Sequence, residues 1–175
     1  MSAKLPHLEL PKFDGSLLKW QEFWDSFSAA IDDNPCIKPV DKFNYLKSNL
    51  EGKAKQIVEG LQLTNANYKI AVKLLKERFG NRQLIVKSYY SALRDISVCP
   101  YEPAKLQTTH NKIEKLLRSL EALGENIENS LLVSLIISKL PAEVRFELSK
   151  HKKPDEMIVE RISFEREASM VHPNM

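Results

Sequence analysis

Between residues 20 and 31, five large apolar side chains fall on one helical face. Trp20, Phe23, Trp24, Phe27 and Ile31 sit at i, i+3, i+4, i+7 and i+11. A strand would send neighbouring members of this set to opposite faces, so the spacing predicts a helix over 17–33, stopped at Asn34-Pro35. Each aromatic removes about 150–250 Å² from water when buried, so such a stripe must find a second apolar layer. It therefore anchors a first hydrophobic core. A stripe of this kind could also line a peptide groove, but packing inside the domain is the ordinary use.

The same period recurs along the chain. Pro39 opens a second helix carrying Val40, Phe43, Tyr45, Leu46 and Leu50, and a short third follows Gly52 with Ala54, Ile57, Val58 and Leu61. Thr64 or Asn65 caps a fourth, with Tyr68, Ala71, Val72, Leu75 and Phe79 inward and Gly80 as its C-terminal cap. Further helices are predicted over 84–96, over 106–123 up to Gly124, and over 128–139 behind an Asn126 cap. Two more open at Pro141 (Val144, Phe146, Leu148) and at Pro154 (Met157, Ile158, Ile162, Phe164). Short links and no strand signal imply an all-α fold. The exception is 5–15, where leucines alternate with polar residues and Pro6 and Pro11 forbid a helix. This extended arm lays Leu8, Leu10 and Phe13 on its own lobe or on a neighbouring subunit, and own-lobe packing is the favoured reading. Gly80-Asn81 divides the chain into two small helical lobes of four to five helices each, 1–80 with the arm and 81–175.

Composition narrows the function. Of 175 residues, 43% are hydrophobic and 28% charged, the balance of a globular protein, and the net charge of +3 is too mild to mark the whole domain as a nucleic-acid binder. Cys36 and Cys99 make no metal-ligand spacing and read as reduced intracellular thiols. No histidine among His7, His110, His151 and His172 has a carboxylate or cysteine at recognisable spacing, and Asp14-Gly15-Ser16 reads as a turn. No phosphate-cradling glycine loop, metal centre or cofactor site is indicated, so the expectation is a protein that is not an enzyme and carries no cofactor. The polar, proline-bearing start argues against a secretory signal, and no apolar run approaches the ~20 residues of a membrane span. A cytoplasmic protein without membrane contact is expected.

Two surfaces stand out. From 68 to 87 the cations Lys69, Lys73, Lys76, Arg78, Arg82 and Lys87 face one acid, Glu77. This is a solvated face, or a face for packaged RNA, since phosphate contacts need charge rather than base readout. The seventh helix is apolar beyond one stripe: Leu132, Leu135 and Ile136 form the stripe, while Val133 and Ile137 extend it round the helix as candidate assembly contacts.

Several of these segments together resemble a known family. Leu10-Pro11-Lys12-Phe13-Asp14-Gly15 and Trp20-Gln21-Glu22-Phe23-Trp24-Asp25-Ser26-Phe27 look like the opening of Gag proteins of Bel/Pao-type LTR retrotransposons. The likeness continues through Lys42–Lys47, Leu50-Glu51-Gly52-Lys53-Ala54, Tyr68 and Leu74–Gly80, and more loosely through Leu116–Leu120, Leu123-Gly124 and Ile136–Pro141. Where Gypsy-type Gag places a tryptophan after Lys-Leu-Pro, this chain has Val144-Arg145-Phe146, and the Gln-Gly…Glu pattern of retroviruses is missing. The resemblance implies a retroviral-capsid-like domain of two lobes, with Trp20, Phe23, Trp24, Phe27, Tyr68, Leu75 and Phe79 as N-terminal-lobe core. It implies a structural protein that associates with copies of itself into a capsid or virus-like particle enclosing RNA. The zinc knuckle that often follows such a capsid has no counterpart in these residues. A different class of function is a domesticated capsid-like module gripping a partner peptide in a groove of its first lobe.

Overall fold

The computed structural model describes residues 10–150, so the part of the arm around Leu8 and the helix expected at Pro154 lie outside the described residues. Eight α-helices appear among the described residues, with no strand: α1 (Trp20–Phe27), α2 (Pro39–Asn49), α3 (Gly52–Val58), α4 (Asn65–Phe79), α5 (Arg82–Arg94), α6 (Pro103–Ala122), α7 (Ser130–Ile137) and α8 (Ala142–Ser149). The fold is all-α. It divides into two compact units, 1–88 and 89–175. The division falls inside α5, beyond the Gly80-Asn81 turn named from sequence.

Unit 1 is built around the end of the arm. Phe13 pairs with Leu50 in a single parallel bridge: the Phe13 N–H donates to Asn49 O at 2.9 Å and the Glu51 N–H to Phe13 O at 2.8 Å. The backbone clasp exists because α2 stops at Asn49, which leaves Leu50 extended rather than helical as sequence suggested. Two glycines flank it at positive φ, Gly15 at +97° and Gly52 at +48°, conformations that L side chains rarely adopt. Beyond the clasp the Phe13 ring stacks on Phe23 at 5.0 Å and meets Trp20 and Phe79 edge-on at 5.3 and 5.0 Å. Phe13 is wholly buried, so the described end of the arm packs on its own unit.

The aromatic helix runs as expected but not uniformly. A 3-10 turn, Leu17–Lys19, leads into α1, and a π-helical stretch, Ser28–Asp32, ends it. Trp20, Phe23, Phe27 and Ile31 are buried; Trp24 is only partly covered, at the edge of the core. Facing them, α4 buries Tyr68, Ala71, Leu75 and Phe79, and α2 adds Phe43 and Leu46. Tyr45, read as an inward residue, is 48% exposed because it falls off the Phe43–Leu46 stripe. Thr64 caps α4 by accepting the Asn67 N–H at 3.2 Å. Gly80 follows that helix at φ −87°, outside the left-handed region, and an added Cβ there would lie 2.7 Å from Lys76 O and 3.1 Å from Trp20 Nε1.

Unit 2 takes its core from Leu93, Ile96, Ile113, Leu116, Leu117, Leu120, Leu132, Val133 and Ile136. Pro103 starts α6, and Gly124 ends it at φ +79°, with the Gly124 N–H on Glu121 O and the Glu125 N–H on Leu120 O. These paired bonds are the Schellman closure that a left-handed glycine permits. Asn129, not Asn126, caps α7 by accepting the Leu132 N–H at 2.8 Å; Asn126 instead turns the preceding loop through the Glu128 N–H. The loop before α6 is held by Lys139, whose carbonyl accepts the Cys99 N–H and whose Nζ donates to Arg94 O.

Candidate functional site

The basic residues singled out from sequence do not form one face. On α4, Lys69, Lys73 and Lys76 share a flank, while a 100° step per residue carries Arg78 to the other side. Two of the three lysines on that flank have local partners. Lys76 Nζ sits 4.4 Å above the Trp24 ring, and Lys73 lies 3.8 Å from Glu77. An exposed i,i+4 pair of this length adds little stability and leaves the charge available. Arg82 and Lys87 are exposed on α5.

Arg78 belongs to a different feature. An open cleft of about 660 Å³ in unit 1 is lined by Lys53, Gln56 and Ile57 of α3, Arg78 and Phe79 of α4, Leu84 of α5, and Gly15 and Leu17 of the arm turn. Its charged lining groups, Lys53 and Arg78, are both cationic. Leu84 is 44% exposed and supplies an apolar wall. The clasp shapes this cleft: a Cβ on Gly15 would stand 3.0 Å from Lys53 Cβ and 3.2 Å from Ala54 N. Lys53 carries no site signal in the sequence, being one of two lysines that flank the buried Ala54, and only the packing of α3 on α4 brings it into one cleft with Arg78.

The assembly residues read from α7 change place. Val133 is 2% exposed, part of the unit 2 core, and Ile137 is half-covered. The apolar side chain that α7 leaves outside is Leu131, 83% exposed at its first turn. On α8, Phe146 is 65% exposed, with Lys150 Nζ 4.7 Å over one ring face.

Electrostatically, the cores are quiet. The Tyr68 hydroxyl donates to Asp32 Oδ1 at 2.5 Å, tying α4 to the π-helical end of the aromatic helix. Burial, then the adjoining Asp32 carboxylate, pushes this phenol well above its ordinary value. Asp14 is held below the usual carboxylate range, first by the Ser16 N–H and then by Lys19 at 3.1 Å. Cys36 is exposed, Cys99 buried, and neither is in a disulfide. Among the described residues no group of three or more His, Cys, Asp or Glu side chains is placed to hold a metal. No described helix is long and apolar enough to cross a membrane. Of the four histidines, His110 lies on α6 and the others lie outside the described residues.

These features define the class: an all-α domain with a clasped N-terminal arm, a lysine flank and a cation-lined cleft. Residues 13–156 match the family described as Protein of unknown function (DUF1759), and the chain belongs to that family. Searches of curated proteins and of solved structures return no significant match.

Proposed function

We propose that this chain is a structural Gag capsid domain of an LTR retrotransposon of the Bel/Pao type, or of a gene derived from one, that assembles with copies of itself around RNA. Domains of its family are common in retrotransposon Gag/Pol-like proteins, which supports the element class. The observation that carries the reading is how the resembling segments meet. Phe13-Asp14-Gly15 and Leu50-Glu51-Gly52-Lys53-Ala54, far apart in sequence, form one backbone clasp. Trp20, Phe23 and Phe79 then close around Phe13. A pattern shared with Gag openings is thus a single structural unit rather than a scatter of matches.

Shells are built from several modest interfaces per subunit, so association should depend on protein concentration. Sedimentation and negative-stain microscopy of the purified chain, with and without RNA, test this: rings or particles are expected, and a strict monomer at every concentration overturns the reading. The cation-lined cleft favours one second reading, a domesticated module that grips an acidic, apolar partner peptide. That module would remain monomeric under the same conditions.

A further inference from the structure

A single-stranded nucleic acid is held where an aromatic ring on which a base can stack adjoins cations that meet its phosphates. Unit 1 brings the two together at the seam of α1 and α4. On α4, Lys69, Lys73 and Lys76 are exposed and lie within about 60° of one another, along about 10 Å of helix. The helix as a whole carries four cations against one acid, Glu77, a net charge of +3. Across the seam stands Trp24, partly exposed at the edge of the core. Its ring meets Trp20 at 5.5 Å and Phe27 at 5.8 Å, and Lys76 Nζ reaches over it at 4.4 Å. The core thus holds the indole in place, while its cover from α4 is a solvated ammonium that can move.

The three rings that are exposed most lack one half of this pairing. Tyr45 has Lys42 and Lys47 nearby on α2, but these already donate to the Asp32 and Leu61 carbonyls. Tyr101 has Glu102 beside it, and Phe146 lies on α8, where Arg145 and Lys150 balance Glu143 and Glu147. The Lys53–Arg78 cleft has the charge, but its ring, Phe79, is 5% exposed. Acids do adjoin Trp24 on α1. Glu22 and Asp25 are the nearest in sequence, but steps of 100° per residue turn both away from it, and both Asp25 oxygens accept from Gln21 Nε2.

We propose that Trp24 and the lysine flank of α4 form a binding site for single-stranded RNA. A base stacks on the indole, Lys76 leaves the ring for the adjacent phosphate, and Lys69 and Lys73 hold phosphates further along α4. This inference rests on the reading that the chain assembles around RNA, and it names the strand form and the side chains that hold it. Such contacts read no base edge, so the site takes any sequence. A duplex, whose bases stack on one another, offers phosphates to the lysines but no base to the indole.

Fluorescence anisotropy on the full chain tests this, using a labelled oligouridylate and an RNA duplex with the same number of phosphates, over a series of salt concentrations. The parent should prefer the single strand. Trp24→Leu should lose about tenfold in single-strand affinity with its salt slope and duplex affinity unchanged, since the phosphate contacts remain. Trp24→Phe keeps a ring and should recover most of that loss. Lys69→Gln with Lys73→Gln should keep the single-strand preference while the slope of log Kd on log salt shrinks by about 1.4, at about 0.7 per phosphate contact. Circular dichroism with thermal melting verifies that the variants fold. If Trp24→Leu does not fold, the parent decides: the single strand should quench its tryptophan emission and the duplex should not, and no quenching overturns the site. Equal single-strand affinity of parent and Trp24→Leu overturns it, as does a parent that binds strand and duplex alike or releases the strand to polyglutamate of equal charge. A parent that binds no RNA overturns it too. Sedimentation of that parent without RNA then judges the assembly reading separately, since rings or particles keep it and a strict monomer sinks it.

Discussion

Phe13 and Trp24 show how much a side chain's position outweighs its size. Phe13 is fully buried among three aromatic rings, so Phe13→Ala should cost about 3–5 kcal/mol, the usual loss for a large buried aromatic. Trp24 is larger but partly exposed and covered on one face by Lys76, so Trp24→Ala should cost only about 1–3 kcal/mol. Urea unfolding of both variants checks the order; a Trp24 variant weaker than the Phe13 variant would place the unit 1 core elsewhere. Tyr68 offers a second residue-scale test through its bond to Asp32. Tyr68→Phe should remove about 1–3 kcal/mol at neutral pH, as for a hydrogen bond to a charged acceptor. Folding raises this phenol above its unfolded value, so its contribution is complete below about pH 10 and fades as pH rises, when the unfolded chain's phenol ionises first. The gap between parent and variant melting temperatures should therefore narrow in alkaline buffer. A constant gap up to pH 11 would show that the hydroxyl is not held as described.

Among the elements, the clasp is where backbone conformation decides. Gly15 sits at φ +97° with Lys53 Cβ, Ala54 N and Phe79 Cζ within 3.3 Å of where a Cβ would be. Gly15→Ala should therefore cost about 2–3 kcal/mol, against about 1–2 kcal/mol for Gly52→Ala at φ +48°, an ordinary left-handed conformation. Denaturant midpoints rank the two, and a neutral Gly15→Ala would mean that the arm is not fixed against α3. The helices themselves were legible from sequence, because periodic apolar residues, Pro39 at a helix start and Gly124 at a helix end are local signals, although α6 starts at Pro103, ahead of the 106 expected. Other features were not local. Leu50 reads as one more helical residue, yet it is extended and paired with Phe13, a partner remote in sequence, and Gly80 reads as a C-terminal cap but lies at φ −87°, beside the Trp20 indole of another helix. Asn126 and Asn129 are both good caps, and only the helix start separates them. On α7 every residue but two serines is apolar, so periodicity could not tell that Val133 is inside and Leu131 outside.

At the scale of the whole molecule, charge placement sets what RNA can do. The lysine flank of α4 and the Lys53–Arg78 cleft are separate positive features of the same unit, on different sides of one helix. If the flank faces packaged RNA, Lys69→Glu, Lys73→Glu and Lys76→Glu together remove three positive charges and add three negative ones near the phosphates. RNA-stimulated assembly should then be lost. The folded unit should survive, since all three lysines are exposed, with about 0.5–1 kcal/mol lost where Lys76 leaves the Trp24 ring. Lys73 adds little to that cost because its pair with Glu77 is long and solvated. Parent assembly with RNA should itself weaken as salt rises, because each neutralised phosphate releases counterions. If association also runs through protein–protein contacts away from this flank, the triple variant should keep its concentration-dependent association in RNA-free buffer. Light scattering on parent and triple variant, with and without RNA at two salt concentrations, separates the two surfaces. An equal RNA response in both proteins would leave the α4 flank as ordinary solvated charge, and the RNA would have to be held by something other than these lysines.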